Sequence, residues 1–222
     1  MSHPFKDVSR PSKVSRVTCT NNNQVIIVGA GPSGLLLALL LSKHGISTQI
    51  LEASHDLDPQ PRAAVYGPAA IPDLRRAGIL DKVRAQGMTL GGMAWRRPDD
   101  HSVIAGFDGE VLGDMDGEDL RMTCLPLQEL GRLMLDVYRE EYRREVSWGH
   151  KVVAVGQNGD KAWVEVETAG GIKRVEGDYV VGCDGANSCV RKSLFGNDFP
   201  GFTWENKQIV ATNVSVSTFP IY

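Results

Sequence analysis

The sequence predicts an α/β fold with a parallel sheet, and three features near its start carry this prediction. An apolar, β-branched run at residues 25–28 leads into a glycine-rich turn at 29–34, and a leucine-rich helical segment at 35–44 follows. A second apolar run, 48–51, ends in an acid, Glu52. Strand, glycine-rich turn, helix, strand and acid, with about 20 residues between turn and acid, is the order found in dinucleotide-binding βαβ units. We therefore expect a Rossmann-like domain built around this unit.

The residues of the turn have separate physical roles in such a unit. Gly29 permits the tight turn off the strand, Gly31 lets a diphosphate approach the backbone, and Gly34 lets the helix pack closely. Pro32 and Ser33 belong to the same turn, and the free N–H groups and positive end of the helix that follows face a bound phosphate. The alternative is a glycine-rich turn that binds nothing, which the flanking strand, helix and acid disfavour.

Glu52 stands at the carboxyl end of the predicted second strand. A carboxylate there can accept hydrogen bonds from both hydroxyls of an adenosine ribose, and it repels a phosphate at the 2' position. The sequence therefore disfavours a 2'-phosphorylated nicotinamide cofactor at this site.

Length and composition are those of a globular protein. The 222 residues, 42% of them hydrophobic and 23% charged, suffice for one large domain or for one domain plus part of another. The net charge of −3 gives no reason to expect a nucleic-acid partner, and the apolar run at 35–41 is too short to span a membrane. Four scattered cysteines without a C-x-x-C pair indicate reduced thiols in an intracellular protein. The five histidines show no metal-ligand spacing, so we expect no metal site.

Residues 1–23 are polar, basic and without hydrophobic periodicity, which predicts a disordered tail. The missing apolar core region excludes a secretory signal. A Ser/Arg-rich, acid-poor start leaves a mitochondrial transit peptide as the alternative to a cytoplasmic location.

Periodicity and turn residues predict the remaining elements. Two prolines make residues 55–61 a loop, which Arg62 closes. Helical periodicity predicts amphipathic helices at 68–83, with Gly78 near its end, and at 126–143. The predicted strands lie within 87–108, with a turn at 97–100, and at 151–155, 162–167 and 173–181, which hairpin signals join into a β-meander.

A second motif, Asp184-Gly185, follows the last strand of this meander. Alone, Asp-Gly is a common turn. A buried strand that runs into it places a carboxylate at the carboxyl edge of the sheet, where open α/β sheets bind their ligands. With the first βαβ unit in place, we interpret Asp184 as part of the same site.

Together these motifs resemble the flavin-dependent aromatic monooxygenases related to para-hydroxybenzoate hydroxylase and phenol hydroxylase. The resemblance covers most of residues 24–192 and rests on the turn at 29–34, Glu52, the Pro61-Arg62-Ala63 segment and the distinctive block Gly-Cys-Asp-Gly-Ala-Asn-Ser-Cys-Val-Arg at 182–191. It implies an enzyme that binds FAD, uses NAD(P)H as co-substrate, and hydroxylates a phenolic or other small aromatic substrate with O2.

The resemblance also implies roles at the matching positions. The turn residues at 29–34 would hold the FAD diphosphate, and Glu52 the adenosine ribose. Arg62 would contact the phosphate and ribityl region, although a solvated loop arginine is the alternative. Asp184 and Gly185 would contact the flavin and support NAD(P)H use, with Arg191 as a helper or, alternatively, a surface charge of a helix.

A flavin-contacting glutamine near the start of the helix at 126–143 is a further feature of the family. Gln128 is the candidate for this role, although Leu127 is the alternative occupant of that turn.

The resemblance divides the chain into the tail at 1–23, an FAD-binding domain at 24–195 and the start of a substrate-binding β-sheet domain at 196–222. Residues 87–118 would contribute to the substrate side, and 209–216 would be the first strand of the substrate sheet. The family's second flavin motif, a Gly-Asp-Ala-Ala-His-like run, has no counterpart in this sequence. We therefore expect a truncated monooxygenase, and the alternative is a non-catalytic FAD-binding fragment or interaction module.

Two other enzyme classes are disfavoured. An NAD-dependent dehydrogenase would continue its βαβ units after Glu52, and this chain does not. A hydrolase would need a histidine partner for Ser33, and none lies at a recognisable spacing.

The sequence leaves open the aromatic substrate, the choice between NADH and NADPH, and the oligomeric state.

Overall fold

The computed structural model describes residues 24–60, 62, 64–115, 117–197, 200–202 and 204–208. The predicted tail at 1–23 and the predicted strand at 209–216 lie outside the described residues. In chain order the elements are β1 (Gln24–Val28), α1 (Pro32–Lys43), β2 (Ser47–Leu51), β3 (Val65–Tyr66), α2 (Ile71–Arg76), α3 (Leu80–Gln86), β4 (Met88–Thr89), β5 (Gly92–Arg96), β6 (Val103–Asp108), a 3-10 helix (Gly109–Leu112), β7 (Thr123–Cys124), α4 (Leu127–Glu140), β8 (Val146–Ser147), β9 (Lys151–Asn158), β10 (Lys161–Thr168), β11 (Gly171–Gly177), β12 (Tyr179–Gly182) and α5 (Cys189–Phe195). Within the described residues, no helix has the length and apolar character that a membrane crossing requires.

A four-stranded parallel sheet organises these elements, in the order β12-β1-β2-β8. Val28 of β1 lies opposite both Leu51 of β2 and Gly182 of β12, so the three strands end at the same level. The predicted βαβ unit, β1-α1-β2, is confirmed. Its carboxyl edge carries the glycine-rich turn, Glu52 and the Asp-Gly motif side by side.

The parallel sheet is buried on both faces, as its apolar strands require. On one face, α1 to α4 enclose a core that includes Leu35 and the fully buried Tyr138. On the other face, Ile26 and Leu51 pack against Val164 of the antiparallel sheet β11-β10-β9, which is the predicted β-meander. The packing on both faces holds the carboxyl edge of the sheet in a defined position.

Two predicted elements differ in the structure, and one strand was not predicted. The helix predicted at 68–83 is two helices, α2 and α3, because Gly78 between them adopts a left-handed conformation with φ of +79°. The strand predicted at 173–181 is also divided, since β11 pairs with β10 whereas β12 pairs with β1. Asp178 lies at this break, where its carboxylate accepts from the N–H of Gln24 at 2.7 Å. The two-residue β8, which extends the parallel sheet, was not predicted.

Tyr138 links α4 to β2 across the core. Its hydroxyl lies 2.9 Å from Oγ1 of Thr48 and donates to the carbonyl of Thr48 at 3.2 Å, and burial raises its pKa. We expect Tyr138→Phe to lower the free energy of unfolding by about 1 kcal/mol, because it removes buried hydrogen bonds and little apolar contact. Urea unfolding measures the effect. Tyr142→Phe, at a partly exposed position, is the matched control and should change stability by less than about 0.5 kcal/mol.

Asp119 ties the segment before β7 to α3. Its carboxylate accepts from Nε and Nη2 of Arg121 at 3.1 and 3.0 Å, and from Nη1 of Arg84 at 2.8 Å. We expect Asp119→Asn to lower the free energy of unfolding by about 1–2 kcal/mol at pH 7, since both arginines lose their anionic acceptor. Asp114→Asn is the matched control, because it removes an exposed carboxylate that accepts from the N–H of Gly117.

The contribution of Asp119 should depend on pH. Hydrogen bonds from Arg121, followed by those from Arg84, hold the pKa of the Asp119 carboxyl well below its ordinary value. The stabilisation is therefore complete above the unfolded-state pKa of about 3.9, and it declines as pH falls toward the folded-state value. The difference in unfolding free energy between wild type and Asp119→Asn should be constant from pH 7 to 5 and shrink below pH 4. A difference that grows on acidification would contradict this assignment.

Candidate functional site

A cavity of about 630 Å³ lies at the carboxyl edge of the parallel sheet. It is bounded by the glycine-rich turn, the end of β2 and its following loop, the start of α4, the start of β9 and the Asp-Gly motif. Open α/β sheets bind ligands at this position. Most of the residues predicted from the sequence line it, namely Gly29, Gly31, Pro32, Glu52, Arg62, Gln128, Asp184 and Gly185.

Two glycines of the turn are required by the backbone itself. Gly29 has φ of +105°, and a Cβ there would lie 2.4 Å from the carbonyl oxygen of Cys183. A Cβ on Gly34 would lie 2.0 Å from the carbonyl oxygen of Gly29. Gly34 is buried, Ser33 is exposed, and neither is among the residues that line the cavity, so their part in holding a diphosphate stays a prediction.

The amino end of α1 opens toward this cavity. Gly31 is the N-cap and supplies no side chain, and Pro32 follows at the first helical position. A Cβ built on Gly31 would meet no atom within 4 Å, so space remains in front of the helix. Unsatisfied N–H groups and the positive end of the dipole make such a position suitable for a phosphate.

The carboxylate of Glu52 is held in place by the backbone. Its Oε2 accepts from the N–H of Ala30 and its Oε1 from the N–H of Ser54, both at 2.8 Å. Each carboxylate oxygen can accept further hydrogen bonds. Glu52 is therefore an oriented anionic acceptor directly beside the glycine-rich turn, as a ribose site requires.

Arg62 is present at the rim of the cavity, but it is paired within its own loop. Its Nη2 lies 2.5 Å from Oδ2 of Asp58, which also lines the cavity, and the two side chains are 62% and 48% exposed. The N–H of Gln60 and the guanidinium of Arg62 both lower the pKa of the Asp58 carboxyl. The phosphate-contacting role of Arg62 stays a prediction.

Gln128 presents a buried acceptor. It lies in the first turn of α4, and its Oε1 is enclosed without a hydrogen-bond partner among the described residues. Leu127 also lines the cavity. A buried amide oxygen without a donor is costly, so a ligand N–H or O–H group at this point would be stabilising.

The Asp-Gly motif has a structural role that the sequence did not show. The carboxylate of Asp184 accepts from the hydroxyl of Ser188 at 2.6 Å and from the N–H groups of Cys189 and Val190 at 2.6 and 3.2 Å. It thereby caps the start of α5. Arg191 donates from Nη1 to the carbonyl of Ala186 at 2.8 Å and is not part of the cavity lining. Both side chains shape the loop that carries Gly185 to the cavity.

Several lining residues were not predicted, because no motif marks them. His150 is one of these: its Nδ1 lies 2.7 Å from the carbonyl of Trp148, and its Nε2 lies 2.9 Å from Nζ of Lys173. These partners suit a tautomer in which Nδ1 donates to the carbonyl and Nε2 accepts from the ammonium group. It follows β8, whose two residues give too little periodicity to be recognised, and its N–H donates to the carbonyl of Glu52 at 2.7 Å.

Cys183 also lines the cavity, under the turn. Burial, followed by the charge of Asp184, raises the pKa of its thiol. The thiol therefore remains protonated at neutral pH, which disfavours a nucleophilic role. Cys124, Cys183 and Cys189 are free thiols, and Cys19 lies outside the described residues.

The residues present fit an adenine dinucleotide. Open space before a helix amino end, an oriented carboxylate and a buried unpaired amide oxygen lie along one cavity. The open space suits a diphosphate, the carboxylate suits a ribose, and the amide oxygen suits a hydrogen-bond donor of the ligand.

Comparison with known proteins agrees with this geometry. The FAD binding domain family FAD_binding_3 matches residues 22–220. Para-nitrophenol 4-monooxygenase of Pseudomonas sp. (strain WBC-3) is 36% identical over 192 residues, which are 86% of this chain and 46% of that protein. The 6-hydroxy-3-succinoylpyridine 3-monooxygenase HspB of Pseudomonas putida is also 36% identical, over 86% of this chain and 48% of its own length.

Among solved structures, p-nitrophenol 4-monooxygenase PnpA from Pseudomonas putida DLL-E4 matches with a TM-score of 0.75 and 32% identity, over 82% of this chain and 46% of that chain. The chain thus spans about half the length of the curated relatives that it matches. The chain belongs to the FAD-binding domain family that the flavin-dependent aromatic monooxygenases share, as the resemblance in its sequence predicted.

Proposed function

We propose that this chain forms the FAD-binding part of a monooxygenase that hydroxylates a small aromatic compound with NAD(P)H and O2. The observation that carries the proposal is the cavity in which the amino end of α1, the fixed carboxylate of Glu52 and the buried oxygen of Gln128 come together. Each is complementary to a different part of FAD.

The roles of the chain's own residues follow from this arrangement. The turn at 29–34 binds the diphosphate through N–H groups, and Glu52 accepts from the adenosine ribose. Gln128 accepts from a donor on the flavin or ribityl part, and Gly185 lets the loop pass close to the ligand. Bound FAD supplies the redox chemistry, whereas these residues bind it, orient it and exclude water.

The substrate class is inferred from the relatives. Para-nitrophenol and 6-hydroxy-3-succinoylpyridine, named in two of them, are both hydroxylated aromatic rings. We infer a substrate of the same class. We infer that the hairpin β5-β6, within 87–118, contributes to the substrate side, because it exposes apolar side chains including Trp95, Ile104 and Phe107 that an aromatic ligand or further protein would cover.

FAD binding is the first test. Calorimetric titration of the purified chain with FAD should give saturable binding, and ADP should compete because it carries the same ribose and diphosphate. Absence of binding by both FAD and ADP would refute the proposal. Preferential binding of NAD over FAD would instead favour a dehydrogenase.

Turnover is the second test. Oxidation of NADH or NADPH that rises on addition of a phenol would support monooxygenase activity of this chain. The alternative function is FAD binding without turnover. Tight FAD binding with no phenol-dependent oxidation would support it. The cytoplasmic location stays a prediction.

A further inference from the structure

The ion pair between Asp58 and Arg62 lies where the loop after β2 meets the cavity. Both residues line the cavity, and Arg62 Nη2 contacts Asp58 Oδ2 at 2.5 Å. Asp58 is held independently of this contact, because its other oxygen, Oδ1, accepts from the N–H of Gln60 at 2.9 Å. The carboxylate can therefore keep its place when the guanidinium leaves it.

We propose that Asp58 is a positioning residue that holds the Arg62 guanidinium at the cavity rim and competes for it with the anionic diphosphate of an incoming dinucleotide. This inference rests on the proposed binding of FAD. A carboxylate and a phosphate present similar anionic oxygens to the planar donors of arginine, so one can replace the other. Before the ligand binds, Asp58 holds the guanidinium of Arg62 in a fixed orientation. When the diphosphate binds, the guanidinium leaves Asp58 and pairs with the phosphate.

The strength of the pair suits such an exchange. Both side chains are about half exposed or more, and ion pairs of this kind are weak. Removing the competitor should therefore tighten binding of a diphosphate ligand by about two- to fivefold, which is the range that exposed pairs represent. A ligand without phosphate does not need the arginine, and its affinity should be unaffected.

The test measures affinities of the full chain for FAD, ADP, adenosine and riboflavin by calorimetry. Asp58→Asn should bind FAD and ADP about two- to fivefold more tightly than wild type, with adenosine and riboflavin unchanged. Asp56→Asn is the matched control: it removes the same charge two residues away, where the carboxylate accepts from the N–H of Leu57. Asp58→Glu, which restores a partner for the arginine, should return the affinity toward that of wild type.

A second comparison separates competition from simple charge repulsion. In an Arg62→Gln background, Asp58→Asn should bring no further gain for FAD or ADP, because there is no guanidinium to release. A gain of the same size in that background, an equal gain from Asp56→Asn, or no gain in the wild-type background would each overturn the proposal. If the wild-type chain binds neither FAD nor ADP, the proposed function fails and this inference fails with it. FAD binding without an effect of Asp58→Asn refutes the inference alone.

Discussion

Replacing Gly34 by alanine is expected to lower the free energy of unfolding by about 3 kcal/mol or more. The added Cβ would lie 2.0 Å from the carbonyl oxygen of Gly29 and 3.4 Å from Cβ of Cys183. The backbone of Gly29 cannot readily move away from the new Cβ, because the N–H of Gly29 donates to the carbonyl of Leu51 at 2.8 Å and Gly29 itself packs on Cys183. The clash therefore separates α1 from the sheet. Urea unfolding followed by circular dichroism measures the loss.

Gly31→Ala is the matched control within the same turn. A Cβ there meets no protein atom within 4 Å, and the backbone, at φ −67° and ψ 176°, suits any residue. Its unfolding free energy should stay within about 0.5 kcal/mol of wild type. FAD affinity should nevertheless fall by about tenfold or more, since the methyl group occupies space that the diphosphate needs. The packing argument would be contradicted if Gly34→Ala were as stable as wild type, or if Gly34→Ala and Gly31→Ala were destabilised equally.

Replacing Glu52 by glutamine is expected to weaken FAD binding by about 10- to 100-fold, the equivalent of losing hydrogen bonds to a charged acceptor. Glutamine keeps the size of the side chain but has one acceptor oxygen instead of two. In addition, its amide would face one of the N–H groups of Ala30 and Ser54 that now donate to the carboxylate. The ribose hydroxyls would thus meet a weaker and less well oriented partner.

Ligands that share parts of FAD test the location of this effect. ADP should lose affinity as FAD does, whereas FMN, which lacks the adenosine, should be unaffected. Adding a 2'-phosphate to ADP should weaken its binding to wild type more than its binding to Glu52→Gln, because the variant lacks the carboxylate that repels the phosphate. Glu129→Gln, which removes an exposed carboxylate paired with Arg132, is the control. An equal loss for FMN and ADP would argue against a ribose contact at Glu52.

Much of the fold could be predicted because its signals are local. The apolar run of β1, the turn and α1 are adjacent in the chain, and α4 shows its buried face in its helical period. Elements that depend on distant partners were missed or merged. The strand predicted at 173–181 is interrupted at Asp178, whose carboxylate accepts from the N–H of Gln24, 154 residues earlier in the chain. Strand β8 forms because it pairs with β2.

The same division applies to the site. The turn at 29–34 and Glu52 were predicted because strand, glycine and acid occur at a known spacing. The capping of α5 by Asp184 and the unpaired side-chain oxygen of Gln128 were not predicted, since both depend on atomic contacts that no sequence motif marks. Ion pairing of Arg62 with Asp58 likewise follows from the path of the loop.

The amino-acid sequence is sufficient to predict the dinucleotide-binding unit, because glycines and an acid at fixed intervals have few other physical uses. The family and its FAD cofactor were predicted from the resemblance that this unit carries together with the block at 182–191, and the family is confirmed. The folded structure is needed to see which charged side chains line the cavity and which of them are paired with a neighbour. The reason is that hydrogen-bond geometry acts over a few ångströms, so even pairs that lie four residues apart in sequence, Asp184 with Ser188 and Arg62 with Asp58, depend on the path of the backbone between them.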